Sequence, residues 1–417
     1  MALFERSEEV FEEENILHDD YQPQSLEERD EELEQYTGYL QPVINGSQPR
    51  NLFLYGKTGV GKTATTKYLL QHLEEDAKKY EDLTIRTVYL NCEDLTSSYR
   101  VAVSLVNQLR DSENQISRTG YPLNAVYEKL WDRIDELGGT ILIVLDEVDY
   151  IGEDDSILYQ LPRARSNGKI EQARVGIIGI SNDFKFREKL DPRVEDTLCE
   201  RELHFPPYEA ADLHNILEKR ATLAFKEGVL EGDVIPLCAA FAAQDKGSAR
   251  QSLDLLLEAG DLARRQSDPT VTEDHVRDAK QLLEKQRIEE SMKELTSHGH
   301  LTLLAVVAST VAEPESLPLQ KQVLYDQYQD LAQTTDRDPL GGRAFHNHLA
   351  ELSMLGILDR AKQNEGRSGG IYYVYKLDVT IDAALSTLEN LHMTGNLDLD
   401  SLRKNARERG LMTIDSH

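Results

Sequence analysis

The sequence predicts an α/β fold: a parallel sheet with helices on both faces, then a purely helical bundle, then a helix-and-hairpin module. Three observations predict it. Strand-like apolar runs alternate with helical runs from Asn51 to Phe205, and the pattern turns wholly helical from Tyr208. Residues 51–63 read Asn-Leu-Phe-Leu-Tyr-Gly-Lys-Thr-Gly-Val-Gly-Lys-Thr, an apolar strand running into the spacing G-x-x-x-x-G-K-[ST]. A second apolar run, Ile141–Leu145, ends in Asp146, Glu147 and Asp149.

Up to about Tyr36 the chain is dense in glutamate and contains Asp20-Tyr-Gln-Pro23 ahead of Leu26-Glu-Glu-Arg29. The strand ending at Tyr55 feeds the segment Gly56, Lys57, Thr58, Gly59, Val60, Gly61, Lys62, Thr63, Ala64, which opens a helix over Thr63–Leu73. The glycines let backbone N–H groups turn inward around the β- and γ-phosphates of a nucleotide, and Lys62 adds a point charge there. The Thr63 hydroxyl is a ligand for Mg²⁺, and the helix N-terminus itself favours an anion. Thr84–Leu90 reads as a strand, Tyr99–Leu109 and Asn124–Leu137 as helices. After Ile141–Leu145, Asp146 would hold the Mg²⁺ shell and Glu147 would polarise an attacking water; alone, the same run reads as an ordinary strand with a capping Asp.

Val175–Ile180 is the next strand, closed by Ser181-Asn182, with a short one at Glu202–Phe205. Asn182 either positions water against a γ-phosphate or begins a turn. Arg193 in Leu190-Asp-Pro-Arg193 and Arg250 in Gly247-Ser-Ala-Arg250 each read as surface charges when taken singly. As a set, Lys62, Asp146, Glu147, Asn182, Arg193 and Arg250 fall in the order a nucleotide switch with a helical lid requires. Ala210–Phe225, Val234–Ala243, Ser248–Arg265 and a segment after Thr272 make the bundle, and Glu273 to about Glu294 is a polar connector.

Residues 338–358 place apolar side chains at 345, 349, 352 and 355, helical spacing, ahead of Asp359–Gly370 and the alternating run Ile371–Leu377. A helix followed by a hairpin is the shape of a winged helix, whose helix enters the major groove while the wing meets the minor groove or backbone. The window 337–376 carries Arg337, Arg343, Arg360, Lys362, Arg367 and Lys376 against Asp338, Glu351, Asp359 and Glu365, a local positive excess. Arg343 is the candidate for base edges, Lys362 and Arg367 for the wing; a winged helix used for protein contacts is the alternative.

The chain has 417 residues, 75 acidic against 46 basic, for a net charge of −29. Taken alone, that charge argues against nucleic acid. The other reading is adaptation to a salt-saturated cytoplasm, where a Debye length of about 3 Å at molar salt leaves local charge to decide contacts. No apolar run approaches the ~20 residues of a membrane helix and no signal-peptide pattern opens the chain, so no membrane partner and a cytoplasmic location are expected. Cys92, Cys199 and Cys238 are scattered, which fits a reducing compartment and no zinc site. The pairs His298/His300 and His346/His348 lack a third metal ligand nearby.

These motifs together resemble the archaeal replication initiators of the origin-recognition and cell-division-control family, within the AAA+ ATPases. The resemblance covers roughly residues 10–380 and rests on Leu52–Thr63, Gly176–Asp183, Asp191–Val194, Phe205-Pro-Pro-Tyr208 and Ser248–Leu256. It implies an AAA+ base over 1–205, a helical lid over 206–290, a winged helix over 291–385 and a tail over 386–417. It also implies ATP or ADP with Mg²⁺ between base and lid. By that likeness Asn182 is sensor 1 and Arg250 sensor 2, and Arg193 reaches a neighbouring subunit's nucleotide. Tyr21, Pro23 and Arg29 border the adenine, Tyr208 joins the nucleotide site, and Asp155–Arg163 resembles a DNA-touching insertion represented here by Tyr159 and Arg163. The implied function is an ATP-dependent initiator, slow in hydrolysis, that binds double-stranded origin DNA and helps recruit or load the replicative helicase, with other initiator subunits as further partners. The alternative is an accessory paralogue or DNA-binding regulator with nucleotide as a structural ligand only. Two positions depart from the family pattern: Val194-Glu-Asp-Thr-Leu198 is acidic, and Ser248 stands where Asp is usual.

Overall fold

A computed structural model describes residues 10–152, 154–364, 371–389 and 398–412. The chain divides into two units, Met1–Ala279 and Lys280–His417.

In the first unit β1 (Leu52–Tyr55), β2 (Ile85–Asn91), β3 (Thr140–Asp146), β4 (Arg174–Ser181) and β5 (Arg201–His204) form one parallel sheet in the order β2-β3-β4-β1-β5. The central strand β3 is buried at all seven positions. Its side chains alternate between two cores. Ile141, Ile143 and Leu145 face one side with Phe53, Val175 and Ile177, and Leu142 and Val144 face the other with Leu52, Leu54 and Ile178.

Helices cover both faces. α1 (Asp30–Ile44) packs Tyr36, Leu40 and Val43 into the second core, beside Leu70 of α2 (Lys62–Ala77). The first core is closed by α3 (Ser98–Gln108), α4 (Leu123–Leu137), α5 (Ser156–Arg163) and the short α6 (Phe186–Lys189) and α7 (Pro192–Leu198). Because β4 lies between β1 and β3, the segments leaving those three strands emerge side by side at the carboxyl edge of the sheet, where open α/β sheets bind ligands.

The bundle comprises α8 (Ala210–Ala224), α9 (Val234–Asp245) and α10 (Ala249–Gln266), packed on one another, with α11 (Glu273–Lys293) running across the division between the units. A capping box between Glu209 and Asp212 starts α8. The N-terminal segment docks on this bundle: Glu12 N–H donates to the Ala224 carbonyl at 2.8 Å, and the Phe11 and Phe225 rings lie 4.7 Å apart. Buried Ile16 and Leu17 form a single turn against α8 and α10.

The second unit is built around α12 (Ser297–Ala312), buried from Gly299 through Val311. Around it pack α13 (Lys321–Thr334), α14 (Gly342–Met354) and a sheet of β6 (Leu319–Gln320), β7 (Leu358–Asn364) and β8 (Ile371–Leu377), antiparallel in the order β6-β8-β7. This is the expected helix-then-hairpin form of a winged helix.

α15 (Ile381–Glu389) and α16 (Leu399–Glu408) complete the unit. Leu399 and Ala406 are buried in the same cluster as Leu304, Leu349 and Leu385, so α16 belongs to this core, and the expected tail boundary at 385/386 falls inside α15. Among the described residues no single helix is long and apolar enough to cross a membrane.

Candidate functional site

The loop between β1 and α2 has a backbone that side chains disfavour. Gly59 has φ +80°, and a Cβ there would lie 1.9 Å from Ser248 Oγ and 3.3 Å from Arg250 Cβ, because the start of α10 presses on the loop. Lys62 is buried behind the loop, and its ammonium donates to the Gly56 carbonyl, the Lys57 carbonyl and Asn182 Oδ1, each at 2.8 Å. Lys57 and Thr58 form the exposed tip, Val60 is buried, and Thr63 and Ala64 are half-buried.

Asp146 at the end of β3 gathers the donors. Its Oδ2 accepts from the Thr63 hydroxyl at 2.7 Å and from the Tyr89 hydroxyl, while Oδ1 accepts from the Glu147 N–H at 3.0 Å. Glu147 has φ +55°, a left-handed conformation uncommon outside glycine that clusters at functional sites. Its Oε1 accepts from Asn182 Nδ2 at 3.4 Å, and its Oε2 is buried without a partner. Asn182 thus touches both Lys62 and Glu147, the two groups on either side of it in the sheet. Tyr89 was missed in the sequence; the only signal was a hydroxyl near the carboxyl end of β2, next to β3.

Burial dominates the electrostatics. It pulls the Lys62 ammonium down to about 8 against the opposing pull of Asp146, Asp149 and Glu147. It raises Asp146 above the usual carboxylate range, against the hydrogen bonds from Thr63 and Glu147. Glu147 is raised too, by burial first and then by Glu93, Asp146 and Asp149. The groups present fit a nucleotide with a divalent cation. Adjoining hydroxyl and carboxylate oxygens at Thr63 and Asp146 are a hard-cation donor set, and Glu147 Oε2 is a buried acceptor left open.

Arg29 is the buried joint between segments. Its side chain is 4% exposed and donates to the Val60 carbonyl at 2.9 Å, the Pro206 carbonyl at 2.8 Å and Glu32 Oε1 at 3.0 Å. The guanidinium also lies 3.7 Å from the centre of the Tyr208 ring, itself buried. Arg29 therefore holds the phosphate loop and the start of the bundle. Tyr21 is half-buried with the Arg220 guanidinium 4.3 Å over its ring, and Pro23 is half-buried two residues on.

Arg250 is half-exposed, with its Nε on Asp19 at 2.9 Å. Arg193 is 73% exposed at the start of α7, doubly bonded to Asp191 at 3.1 and 3.2 Å. The guanidinium groups of Arg163 and Arg193 flank the Tyr159 ring at 4.7 and 5.7 Å, so these three residues share one surface patch.

In the second unit α14 buries Phe345, Leu349 and Leu352 and leaves Arg343 exposed on the opposite face. Two tyrosines of α13 fix the segment before it. The Leu340 N–H donates to Tyr328 Oη at 3.0 Å, the Tyr325 hydroxyl donates to the Leu340 carbonyl at 2.9 Å, and Tyr328 Oη also meets His298 Nδ1 at 2.8 Å. His298, one of the histidines flagged in the sequence, is thereby engaged in fixing this segment. Lys362 is exposed on β7. Arg367 lies outside the described residues.

A family model of the AAA domain matches residues 44–186. One of the Cdc6 AAA+ ATPase-type lid domain matches 214–281, and one of the CDC6 C-terminal winged helix domain matches 290–387. The chain is 52% identical over 399 residues to ORC1-type DNA replication protein 15 of Haloarcula marismortui, across 95% of this chain and 97% of that one. It is 51% identical over 415 residues to ORC1-type DNA replication protein 10 of Halobacterium salinarum, across 99% of each. Its structure is similar to that of the Aeropyrum pernix ORC1 protein in complex with DNA, at 34% identity and a TM-score of 0.78, covering 93% of this chain and 99% of that one. Both sequence relatives come from halophiles, the setting expected from the net charge of −29. At such identity over nearly the whole length, the chain belongs to the family of ORC1-type DNA replication proteins.

Proposed function

We propose that this protein is an ATP-responsive replication initiator that grips duplex origin DNA and helps bring the replicative helicase to it. The reading is carried by one observation: Lys62, Asn182 and Glu147 are joined in a hydrogen-bonded chain beside the Thr63–Asp146 pair, at the edge of the sheet against which the bundle packs. Thr63 and Asp146 would hold Mg²⁺, which supplies charge neutralisation on the phosphates. Lys62 would bind the β- and γ-phosphates, and Glu147, held by Asn182, would take the proton from water.

DNA contact is assigned to Arg343 on α14, to Lys362 and Arg367 of the wing, and to Tyr159 and Arg163 on the base. That the Aeropyrum pernix ORC1 protein was solved in complex with DNA supports a DNA partner for this chain. Other initiator subunits are assigned as partners, with Arg193 as the candidate for contact in trans.

Single-turnover ATP hydrolysis with and without duplex DNA tests the reading. Lys62→Ala loses ATP binding, and Glu147→Gln binds ATP but barely hydrolyses it; equal hydrolysis by wild type and Glu147→Gln removes that role. Arg343→Ala and Lys362→Ala weaken duplex binding at unchanged ATP affinity. If DNA affinity is unaltered in both, the winged helix is a protein-contact module instead.

A further inference from the structure

The stem of Arg250 and its charged end serve different neighbours. Its Cβ lies against Gly59, within reach of the loop mouth. Its guanidinium nonetheless points to the N-terminal segment, where Asp19 accepts it through Oδ1 at 2.9 Å and Oδ2 at 2.8 Å. The Asp19 backbone is held there from both sides. Leu17 is fully buried under the bundle, and the Tyr21 ring lies beneath Arg220. A second carboxylate, Asp254, sits one turn along α10, and burial together with Asp19 pushes it up to about 6, while Arg250 opposes that rise. Arg250 is also close enough to the loop to lower the pKa values of both Lys62 and Glu147. The cation therefore stands between two anionic settings: the Asp19–Asp254 pair, and the mouth where phosphates are assigned.

Resting on the reading of this loop as an ATP site, we propose that Asp19 is a specificity-determining residue that competes with the terminal phosphate of a nucleoside triphosphate for Arg250. A diphosphate leaves the Arg250–Asp19 pair intact, because it presents no third phosphate to draw the guanidinium away. A triphosphate must first break that pair. Asp19 thereby lowers triphosphate affinity selectively, while buried Leu17 and the Tyr21 ring under Arg220 keep its backbone in place. Both partners are about half exposed, at 49% and 55%, so the competition is modest. Exposed pairs of this kind correspond to a factor of about two to five in affinity, reduced as salt rises.

The experiment is calorimetric titration of the full chain with ATP and with ADP, at the lowest KCl concentration that keeps it folded and again at molar KCl. Asp19→Asn is expected to tighten ATP about two- to fivefold while ADP is unchanged, with the difference shrinking at molar KCl. Asp19→Glu restores wild-type discrimination. In an Arg250→Ala background the Asp19→Asn effect disappears, which a merely structural role would not produce. Equal shifts for ATP and ADP, or an Asp19→Asn effect that survives Arg250→Ala, overturn the proposal. Lys62→Ala separates the two levels: undiminished ATP binding there defeats the site itself, whatever Asp19 does.

Discussion

Arg29→Ala tests whether the phosphate loop and the bundle are fastened by one buried cation. The substitution deletes hydrogen bonds to the Val60 and Pro206 carbonyls and leaves the buried Glu32 carboxylate without its partner at 3.0 Å. Each hydrogen bond from a charged donor contributes about 1.5–3 kcal/mol, and removing one partner of a buried pair costs about 3–5 kcal/mol. These describe overlapping interactions, so the expected loss is about 4 kcal/mol, a large share of the roughly 5–15 kcal/mol that holds a folded protein together.

The chain's single tryptophan, Trp131, is buried in the first unit, so its fluorescence in urea reports that unit by itself. Glu32→Ala combined with Arg29→Ala should cost less than the sum of the two, because the stranded carboxylate is gone. Raising KCl should leave the Arg29→Ala loss nearly unchanged, since buried contacts are screened little. A loss below about 1 kcal/mol would refute the buried-joint argument, for that is the size of an exposed pair.

The Lys62 ammonium titrates near 8, whereas bound phosphates would keep it charged to higher pH. The complex then holds more protons than the free protein, so ATP affinity falls as pH rises through about 8; a flat profile from pH 7 to 9.5 contradicts it. The same depression below the ordinary value of 10.5 means the unfolded chain binds more protons between those values, so this group's contribution to stability rises with pH across that window. Tyr328→Phe strands the Leu340 N–H and His298 Nδ1, costing about 1–3 kcal/mol and weakening DNA binding through the start of α14, as melting and filter binding would register. Ala249→Pro removes the N–H that donates to the Gly59 carbonyl at 2.9 Å, at a first-turn position where proline is tolerated and after an extended Ser248. ATP affinity should drop about three- to tenfold with little change in the Trp131 unfolding curve, and unchanged affinity would show that the contact does not matter.

The parts legible in the sequence are those whose chemistry demands local spacing. The glycine loop, the β3 carboxylates and the apolar stripe of α14 each announce themselves within a dozen residues. Arg29 does not, because its carbonyl partners lie 31 and 177 positions away, and nothing local distinguishes it from a surface arginine. Asp19 is hidden for the same reason, 231 positions from Arg250. Two helices did leave a signal. Tyr36, Leu40 and Val43 are spaced for one face of α1, and Asp398 with Ser401 caps α16 ahead of Leu402 and Ala406. Their charged and polar majority masked the stripe.

The loop's outer anchors bind nucleotide chemistry to the placement of distant segments. A trans peptide turns its carbonyl and its N–H to opposite sides. The Gly59 carbonyl is held by the Ala249 N–H of α10, and the Val60 carbonyl by Arg29 beside α1, each at 2.9 Å. The N–H groups of Val60 and Gly61 are thereby turned the other way, and their direction is set by the bundle and the N-terminal segment. A shift of α10 would therefore rotate a peptide of the loop assigned to phosphate. By reciprocity, an anion that fixes those N–H groups must favour one docking of α10 over others. Two backbone carbonyls, one N–H and one buried arginine are the contacts through which such coupling would run.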